Sequence, residues 1–433
     1  MTQANEPVHT CIGVGVGPAN LSLACLLERA GVDATFLDAK PSFSWHDGMQ
    51  IEDASLQVSL FKDLVTLHDP SNPYSFVNYL HQAGRLYHFL NARFESVSRR
   101  EFADYMTWAA DRNTLVRFGE PVEEIGFDGD FTVRTSKRLL RARSVSIGIG
   151  KTPKVPEQLA DKLGDTIYHC NNHLTIGASL AGRRVVVVGG GQSGAEVVLD
   201  LLTRRGSQRP ARTTWISSRE CFWPIDDSPF TNDLFMPCQV ALFASRQLAD
   251  RADFVTRNIL ASDGISPETL KAIYQALYMR RFVDGESGFA ALMPGRRLKT
   301  VGRDGGAWLA VTRHVETDET ELVHADVIVL ATGYRYPDLE MLSGLAPRLT
   351  WEGEEIALDD TYAARWDGPP DRHIFVQNRA MRQKGLADPN LSLLAWRSGQ
   401  ILSRLLGRPR GVAALPSMID WRPQVPDAQL QSA

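Results

Sequence analysis

The sequence predicts an α/β fold made of two parallel-sheet units of similar design and a small helical insertion. Glycine-rich turns begin at Gly13 and at Gly189, and each lies between an apolar run and a helix-forming segment. Residues 222–285 have a different texture, with polar turns and helical periodicity in place of apolar strands. Repeated strand–turn–helix units predict parallel sheets, and the change of pattern predicts a separate helical element.

The composition is that of an ordinary globular protein. The chain has 433 residues, a net charge of −4, 43% hydrophobic residues and 23% charged residues. That length suffices for two or three domains, and so weak a charge does not indicate a nucleic-acid partner. The polar N-terminal segment lacks the apolar centre of a secretory signal, and no apolar run reaches the roughly 18 residues that a membrane span needs. We therefore expect a cytoplasmic protein with neither a membrane nor a nucleic-acid partner.

The five cysteines indicate neither a disulfide framework nor a metal site. They are scattered, and no two of them form a CxxC pair or a zinc-binding spacing. We expect reduced thiols that fill apolar space, and no structural metal. The cysteines are Cys11, Cys25, Cys170, Cys221 and Cys238.

The first glycine-rich turn has the features of a dinucleotide site. A predicted strand, Val8–Val14, runs into GVGVGPAN, a helix follows at Leu21–Ala30, and a second strand, Ala34–Leu37, ends in Asp38. Glycines in such a turn let a pyrophosphate approach the helix N-terminus, and an acid about twenty residues later accepts a ribose hydroxyl. Asn20 stands where the usual pattern has its third glycine. The predicted cofactor contacts here are Gly13, Gly15, Gly17, Pro18, Asn20 and Asp38.

The second turn fits the same pattern completely. In VVVVGGGQSGAE, at 185–196, four valines lead into the glycine-rich turn. A later strand, Thr213–Ser217, leads to Arg219. An acid at that place would hold the free ribose of NAD, whereas arginine suits the 2′-phosphate of NADP. In flavoproteins with two such motifs the first holds FAD and the second the pyridine nucleotide, so NADPH is favoured over NADH. The predicted contacts here are Gly189, Gly191, Gln192, Ser193, Gly194 and Arg219.

Two more apolar strands set the predicted domain limits. Ser144–Gly150 and Val327–Gly333 are expected to return the chain to the first unit on either side of the second. The predicted FAD domain is 1–165 with 325–433, the NADPH domain is 166–221 with 286–324, and the helical substrate-binding insertion is 222–285. The insertion is expected to cover the junction of the two nucleotide domains, and the Pro-rich tail after Arg408 to wrap the surface.

These motifs together resemble the siderophore-biosynthesis N-hydroxylating flavin monooxygenases, the lysine, diamine and ornithine N-hydroxylases. The matching segments run through nearly the whole chain, and the GPAN form of the first motif is itself typical of that family. The most specific are the WHDGM and KDLVTLHDP blocks. The segments are GVGVGPANLSL (13–23), FSWHDGM (43–49), LQVSLFKDLVTLHDPSNPYSFVNYL (56–80), VVVVGGGQSGAE (185–196), DDSPFTNDLF (226–235), ATGY (331–334) and GLADPNLSLLAWR (385–397).

The resemblance implies further site residues and an assembly. FAD is expected to contact Trp45, His46, Gln57, Asn390 and Leu391 in addition to the first motif. Lys62, Ser392 and Gln57 are expected to reach the substrate. It also implies a homo-oligomer, a dimer or a tetramer.

One difference from the ornithine enzymes indicates which branch of the family, and therefore which substrate, the chain resembles most. Where ornithine enzymes carry an Asn-Tyr pair, this chain has Ser262-Asp263-Gly264, which favours the lysine and diamine branches. A lysine substrate would pair its carboxylate with Lys62, whereas a diamine would offer a second ammonium to Asp263 or another acid. The candidate amines are therefore L-lysine, cadaverine, putrescine and 1,3-diaminopropane, with L-ornithine as the alternative.

The implied reaction needs no nucleophilic triad and no metal. NADPH reduces FAD, oxygen adds to give a C4a-hydroperoxyflavin, and a neutral primary amine takes the distal oxygen, so the cofactor carries the chemistry. We assign no catalytic side chain. A disulfide reductase is disfavoured because it needs a CxxC pair, and YHCNNH at 168–173 does not fit a Baeyer–Villiger enzyme. A non-catalytic NADPH-sensing flavoprotein is the alternative from another class.

Overall fold

The computed structural model describes residues 7–52, 54–94, 96–408 and 417–421. Its mixed α/β architecture, with two parallel sheets, confirms the predicted fold class. The outermost domain limits at 1 and 433, and most of the Pro-rich tail, lie outside the described residues. The helices are α1 (Pro18–Arg29), α2 (Phe76–Gln82), α3 (Leu86–Ala92), α4 (Arg99–Arg112), α5 (His173–Ile176), α6 (Gln192–Thr203), α7 (Pro229–Asn232), α8 (Pro237–Ala244), α9 (Leu248–Arg257), α10 (Leu260–Asp263), α11 (Pro267–Tyr278), α12 (Met381–Lys384) and α13 (Leu394–Leu405), with a π-helical turn at Met279–Val283.

Most strands belong to two large sheets and one smaller antiparallel sheet. The strands are β1 (Val8–Val14), β2 (Ala34–Leu37), β3 (Val116–Arg117), β4 (Val122–Phe127), β5 (Phe131–Thr135), β6 (Leu139–Ile147), β7 (Thr152–Pro153), β8 (Ile167–His169), β9 (Arg184–Val188), β10 (Arg212–Ile216), β11 (Ala290–Met293), β12 (Arg296–Asp304), β13 (Ala307–His314), β14 (Thr320–Ala325), β15 (Val327–Leu330), β16 (Tyr334–Arg335), β17 (Trp351–Glu352), β18 (Glu355–Ile356) and β19 (His373–Val376).

The first sheet has seven strands in the order β3-β2-β1-β6-β5-β4, with β19 also paired to β6. Strands β3, β2, β1, β6 and β19 run parallel, and a hairpin extends the sheet: β5 pairs antiparallel with β6, and β4 pairs antiparallel with β5. α1 has nine buried residues, including Leu23 and Leu27, because its apolar positions face both the sheet and α13. The first glycine-rich turn therefore lies at the carboxyl edge of a buried parallel sheet.

The second sheet is all parallel, in the order β11-β10-β9-β15-β8. β15 pairs with β9 and β8, so Val327–Leu330 belongs to this sheet and the predicted return to the first unit at 325 is wrong. A buried four-residue apolar strand has the same sequence pattern in either parallel sheet, so only its strand pairing shows to which sheet it belongs. The first sheet does contain Ser144–Ile147, as predicted.

The chain passes between the units where β7 and β16 meet. These two short strands pair antiparallel, with Tyr334 opposite Pro153 and Arg335 opposite Thr152. β7 lies on the connection from the first unit to the second, and β16 lies on the connection back. The two connections therefore stabilise each other. The junction is therefore narrow and fixed by backbone hydrogen bonds.

The helical insertion packs on both units rather than standing apart. Leu234 and Phe235 share a core with Leu386 of the first unit, while Ile273 shares one with Val197 of the second. Gly264 allows this path, because a Cβ there would lie 2.1 Å from Ile225 Cα. The insertion thus spans the junction.

An ion pair ties the two units directly. Arg99 on α4 donates to both carboxylate oxygens of Glu196 on α6, at 2.8 and 2.5 Å, and also to the Met49 carbonyl at 2.9 Å. The two side chains are only 14% and 5% exposed. A pair this buried is costly to break from one side, because the remaining charge stays desolvated.

Replacing Glu196 tests that pair. We expect Glu196→Gln to lower the free energy of unfolding by about 3–5 kcal/mol, since it leaves the Arg99 guanidinium without its carboxylate. Urea denaturation followed by circular dichroism measures the change. The matched control is Asp367→Asn, which breaks the more exposed Arg348–Asp367 pair and should cost no more than about 1 kcal/mol. Equal, small losses from both variants would contradict the role of the buried pair.

Candidate functional site

Both glycine-rich turns end at helix N-termini that no side chain caps. α1 follows Gly17 and α6 follows Gly191, and neither residue supplies a side-chain capping bond. The first-turn N–H groups of these 12-residue helices are thus available to an anion. Each turn fits a pyrophosphate, as the motifs predict.

The glycines of these turns are required for different reasons. Gly15 has φ +82°, and a Cβ there would lie 2.8 Å from Gly148 O. A Cβ at Gly194 would lie 2.2 Å from Gly189 O, so that glycine permits the helix to pack on its own turn. A Cβ at Gly191, in contrast, would have no atom within 4 Å, which leaves open space beside the helix N-terminus.

Two alanine variants separate these roles. Gly194→Ala should destabilise the protein by about 1–3 kcal/mol, because the methyl group overlaps backbone. Gly191→Ala should leave the melting temperature unchanged and raise the KM for NADPH at least about tenfold, since the methyl group occupies the ligand's space. Thermal unfolding and NADPH titration measure the two effects. An unchanged KM in Gly191→Ala would argue against a nucleotide at this turn.

Asn20 shapes the first turn from beneath. Its side chain is fully buried and donates to the carbonyls of Val14, Gly15 and Ser146, at 3.1, 2.8 and 3.1 Å. Its oxygen accepts from Gln377 and from the Ser146 hydroxyl. The amide thus ties β1, β6 and the residue after β19 together, and its role at a cofactor is to hold the turn in shape.

Asp38 lies where a ribose acceptor is predicted, at the end of β2. One carboxylate oxygen accepts from the Val16 amide at 2.7 Å and the other from the Lys40 amide at 2.8 Å. The side chain is 7% exposed. Because a carboxylate oxygen can accept two hydrogen bonds, these contacts orient Asp38 without using all its capacity.

Arg219 lies across the second motif. Its guanidinium donates to Gly190 O at 3.3 Å and to Asp263 O at 3.0 Å. This places a cation just after β10 and beside the second glycine-rich turn, the position at which the sequence predicts the 2′-phosphate. The side chains of Gln192 and Ser193, which are predicted NADPH contacts, form hydrogen bonds with protein groups. Gln192 bonds to Glu196 and other groups described below, and Ser193 bonds to Cys170.

A cavity of about 1330 Å³ lies between the first unit, the helical insertion and residues Met418 and Ile419. Gln57, Lys62 and Ser392, which are predicted to reach the substrate, line it. Asp263 does not line it; that prediction is wrong, because Asp263 lies at the end of α10 beside Arg219. The acidic groups that do line the cavity are Asp227, Asp233 and Glu268.

The residue after Lys62 fixes its position. Asp63 is buried, and its carboxylate accepts from the backbone amides of Val65, Thr66 and Phe76 and from the Thr66 hydroxyl, at 2.7–2.9 Å. One carboxylate thus satisfies three backbone donors of an otherwise irregular segment. This is why the KDLVTLHDP block can hold Lys62 at the cavity without regular secondary structure.

Lys62 is a half-buried cation in this cavity. Burial lowers the pKa of its ammonium group, and the nearby Asp227 carboxylate acts in the opposite direction. The Nζ atom lies 5.9 Å from the centre of the Phe235 ring. Within the described residues no salt bridge joins Lys62 to an acidic side chain, so its charge is directed to the cavity.

Ser392 is held by its own loop. Asn390 accepts from both the amide and the hydroxyl of Ser392, at 2.9 and 2.8 Å. Behind them Arg397 and Asp388 form an ion pair that is fully buried. The loop that carries the predicted flavin contacts Asn390 and Leu391 is therefore held by its own hydrogen bonds and backed by a buried ion pair.

His46 adopts a left-handed backbone conformation, with φ 54°. His46 keeps exposed surface, but desolvation by the neighbouring residues, and then the charge of Arg99, lower its pKa to about 4, so its imidazole is neutral at pH 7. Its ring centre lies 4.8 Å from Trp45 and 6.3 Å from Tyr334. The turn that follows packs against the second unit, because a Cβ on Gly48 would lie 1.7 Å from Asn171 O.

Gln192 joins all three parts of the molecule. Its oxygen accepts from Gln57 Nε2 at 3.2 Å and from the Ser266 amide at 2.8 Å. Its nitrogen donates to Glu196 at 3.0 Å and to Thr269 at 3.2 Å. The cavity wall at Gln57 is thereby tied to the helix that begins at the second motif.

Sequence reasoning missed the acids of the cavity and its apolar wall. Asp227 and Asp233 lie in DDSPFTNDLF, a segment already singled out by resemblance, so a signal for them existed. Phe235 belongs to the same segment, whereas nothing in the sequence distinguishes Glu268 or Met418 from other surface residues. In the described part of the chain no group of His, Cys, Asp and Glu could hold a metal ion, and no helix there has the length and apolarity to span a membrane.

Two glycine-rich turns at the edges of two parallel sheets, and a cavity between the first unit and the insertion, define a two-nucleotide oxidoreductase. The chain belongs to the L-lysine 6-monooxygenase/L-ornithine 5-monooxygenase family, whose model matches residues 7–336. It is a flavin-dependent N-hydroxylating monooxygenase, as the motifs predict. The family resemblance is therefore confirmed.

Three known proteins illustrate the relationship. The L-lysine N6-monooxygenase of Escherichia coli is 36% identical over 417 residues, covering 95% of this chain and 98% of that protein. The cadaverine monooxygenase of desferrioxamine biosynthesis from Erwinia amylovora, solved with FAD, is 27% identical with a TM-score of 0.91, covering 97% and 99%. The ornithine N-hydroxylase of Kutzneria sp. 744, solved with reduced FAD, NADP+ and L-ornithine, is 30% identical with a TM-score of 0.85, covering 93% and 99%.

Proposed function

We propose that this enzyme uses FAD and NADPH to hydroxylate the terminal amine of L-lysine in hydroxamate siderophore biosynthesis. The observation that carries the substrate is Lys62, a half-buried ammonium without a salt-bridge partner among the described residues, in the cavity at the junction. An unpaired buried cation is unfavourable unless a ligand supplies the opposite charge. The α-carboxylate of an amino acid supplies it.

The second charge of an amino acid head group also has a complement. Asp227 lines the same cavity and lies close enough to Lys62 to influence its pKa. A carboxylate on Lys62 and an α-ammonium near Asp227 would match both charges at once. Cadaverine or putrescine would match Asp227 or Glu268 but would bring a second cation towards Lys62.

The residues of this chain have binding and positioning roles in the reaction. When bound, FAD takes a hydride from NADPH and activates oxygen, so that the amine becomes a hydroxylamine and the second oxygen atom leaves as water. The two uncapped helix N-termini hold the phosphates, Arg219 holds the 2′-phosphate, and Lys62 fixes the far end of the amine. Ser392 and Gln57 flank the path between the amine and the flavin.

Lys62 also distinguishes L-lysine from the other candidates. Lys62→Ala should raise the KM for L-lysine about 10- to 100-fold, the cost of one charge-assisted hydrogen bond of about 1.5–3 kcal/mol. It should not impair cadaverine or putrescine, which have no carboxylate. Hydroxylamine formation with L-lysine, L-ornithine, cadaverine, putrescine and 1,3-diaminopropane measures this.

Lys62→Arg is the matched control, because it keeps the charge and should retain most of the L-lysine activity. FAD content and the melting temperature should be unchanged in both variants. Wild-type turnover of a diamine in preference to L-lysine would contradict the proposed substrate. Preference for L-ornithine would support the alternative, in which the carboxylate still binds Lys62 and the chain of the amino acid is one carbon shorter.

Arg219 supports the choice of nucleotide. Arg219→Ser should lower kcat/KM for NADPH about tenfold or more and leave that for NADH nearly unchanged, because only NADPH has the 2′-phosphate. Arg212→Ser, at the start of β10, the strand that leads to Arg219, is the control and should alter neither value. If Arg219→Ser lowered both values equally, Arg219 would act on the fold of the turn rather than on the phosphate.

A further inference from the structure

The outer part of the cavity is built from a segment close to the C-terminus of the chain. Residues 417–421 fold back over the helical insertion, and Met418 and Ile419 line the cavity. The Met418 side chain is almost fully exposed, whereas Trp421 packs against the core that Leu234 and Leu386 share. The segment therefore lies at the cavity mouth with its far end anchored in protein.

The anchor is Asp233, a buried carboxylate on the insertion. Trp421 Nε1 donates to its Oδ2 at 2.7 Å, and the Ser417 hydroxyl donates to the same oxygen. Gln239 donates at 3.3 Å from behind. Burial acts to raise the pKa of Asp233, but the hydrogen bonds from Ser417, Trp421 and Gln239 outweigh it and lower the pKa.

The segment has internal order as well. The Ser417 hydroxyl accepts from the Ile419 amide at 2.8 Å, and the Trp421 amide donates to the Ile419 carbonyl at 2.9 Å. Both ends of the five residues are thus fixed on one oxygen of Asp233, with the Met418–Ile419 turn between them. This geometry directs two apolar side chains at the cavity and leaves their positions dependent on Asp233.

We propose that Ser417–Trp421 is the outer wall of the amine-binding cavity, and that Asp233 is the positioning residue that holds it. The wall keeps the bound amine in place and limits the entry of water to the reacting end. The inference rests on the proposed function for the nature of the ligand. It adds a specificity element that lies outside residues 7–336, the part of the chain that the family model matches.

Two truncated chains test the wall. A chain ending at residue 421 keeps the whole segment and is the matched control; it should behave as the full chain does. A chain ending at residue 416 lacks the wall. It should show at least a tenfold higher KM for the amine and divert at least half of the NADPH consumed to hydrogen peroxide, because the amine is held less firmly and water enters.

Trp421→Phe provides a test that does not shorten the chain. It removes one hydrogen-bond donor to Asp233 and keeps an aromatic ring, so folding should be preserved. We expect a higher amine KM, while the rate at which NADPH reduces the flavin in the absence of amine stays unchanged. A purely structural defect would instead lower both the affinity for the amine and that rate, together with the melting temperature.

The outcomes separate the wall from the substrate assignment. The wild-type amine panel decides the substrate, and the variants are then compared on whichever amine the wild type hydroxylates best. If the chains ending at 416 and 421 show the same KM and the same peroxide yield, the wall does not exist. A difference between them with a diamine as the best amine would support the wall while contradicting L-lysine as substrate.

Discussion

The side chains of Gln192 and Glu196, one turn apart on α6, are the constraint on which the site depends. Gln192 reaches the cavity wall at Gln57 and the start of α11 at Ser266, and Glu196 holds Arg99 of the first unit. α6 begins directly after the second glycine motif. The same helix therefore presents its N-terminus to a nucleotide and its first two turns to both other parts of the molecule.

This arrangement holds the cavity wall at Gln57 in place. No single part of the chain encloses the cavity: Lys62 comes from the first unit, Asp227 and Phe235 from the insertion, and the wall from the C-terminal segment. Buried polar groups at such a junction are costly unless they are satisfied, and Gln192 is satisfied by four partners. A satisfied junction fixes the distance between the N-terminus of α6 and the cavity wall at Gln57.

Because the cofactor carries the chemistry, the residues of the chain contribute the placement of the substrate and the electrostatics of the site. Within a cavity that is partly removed from water, one cation without a carboxylate partner has a larger effect than the same charge on the surface. In the proposed function, Lys62 therefore selects among amines that differ little in their reactive ends. The four hydrogen bonds that Asp63 accepts stabilise the irregular segment that carries this cation.

Much of this was predictable from local sequence, and the errors have physical causes. The two glycine motifs, α1 and β1 follow from patterns that span fewer than about twenty residues. The assignment of Val327–Leu330 to the first sheet failed because pairing is a long-range property. Asp263 was misplaced because a carboxylate in a turn carries no local sign of which side it faces.

The residues of the wall were harder still to anticipate. Trp421 lies 188 positions from Asp233, and neither residue belongs to a recognisable motif with the other. Such a contact arises only when the C-terminal segment folds back on the insertion. These residues show that glycine-rich turns can be predicted from local sequence, whereas long-range packing decides which segments line a cavity.

The most direct test of the central claim is a structure of the enzyme with NADP+ and L-lysine bound. The account predicts that a carboxylate oxygen of L-lysine lies about 2.7–3.2 Å from Lys62 Nζ, with the terminal amine directed away from Lys62 towards the flavin. L-lysine bound with its carboxylate at any other residue, or with its terminal amine beside Lys62, would contradict it.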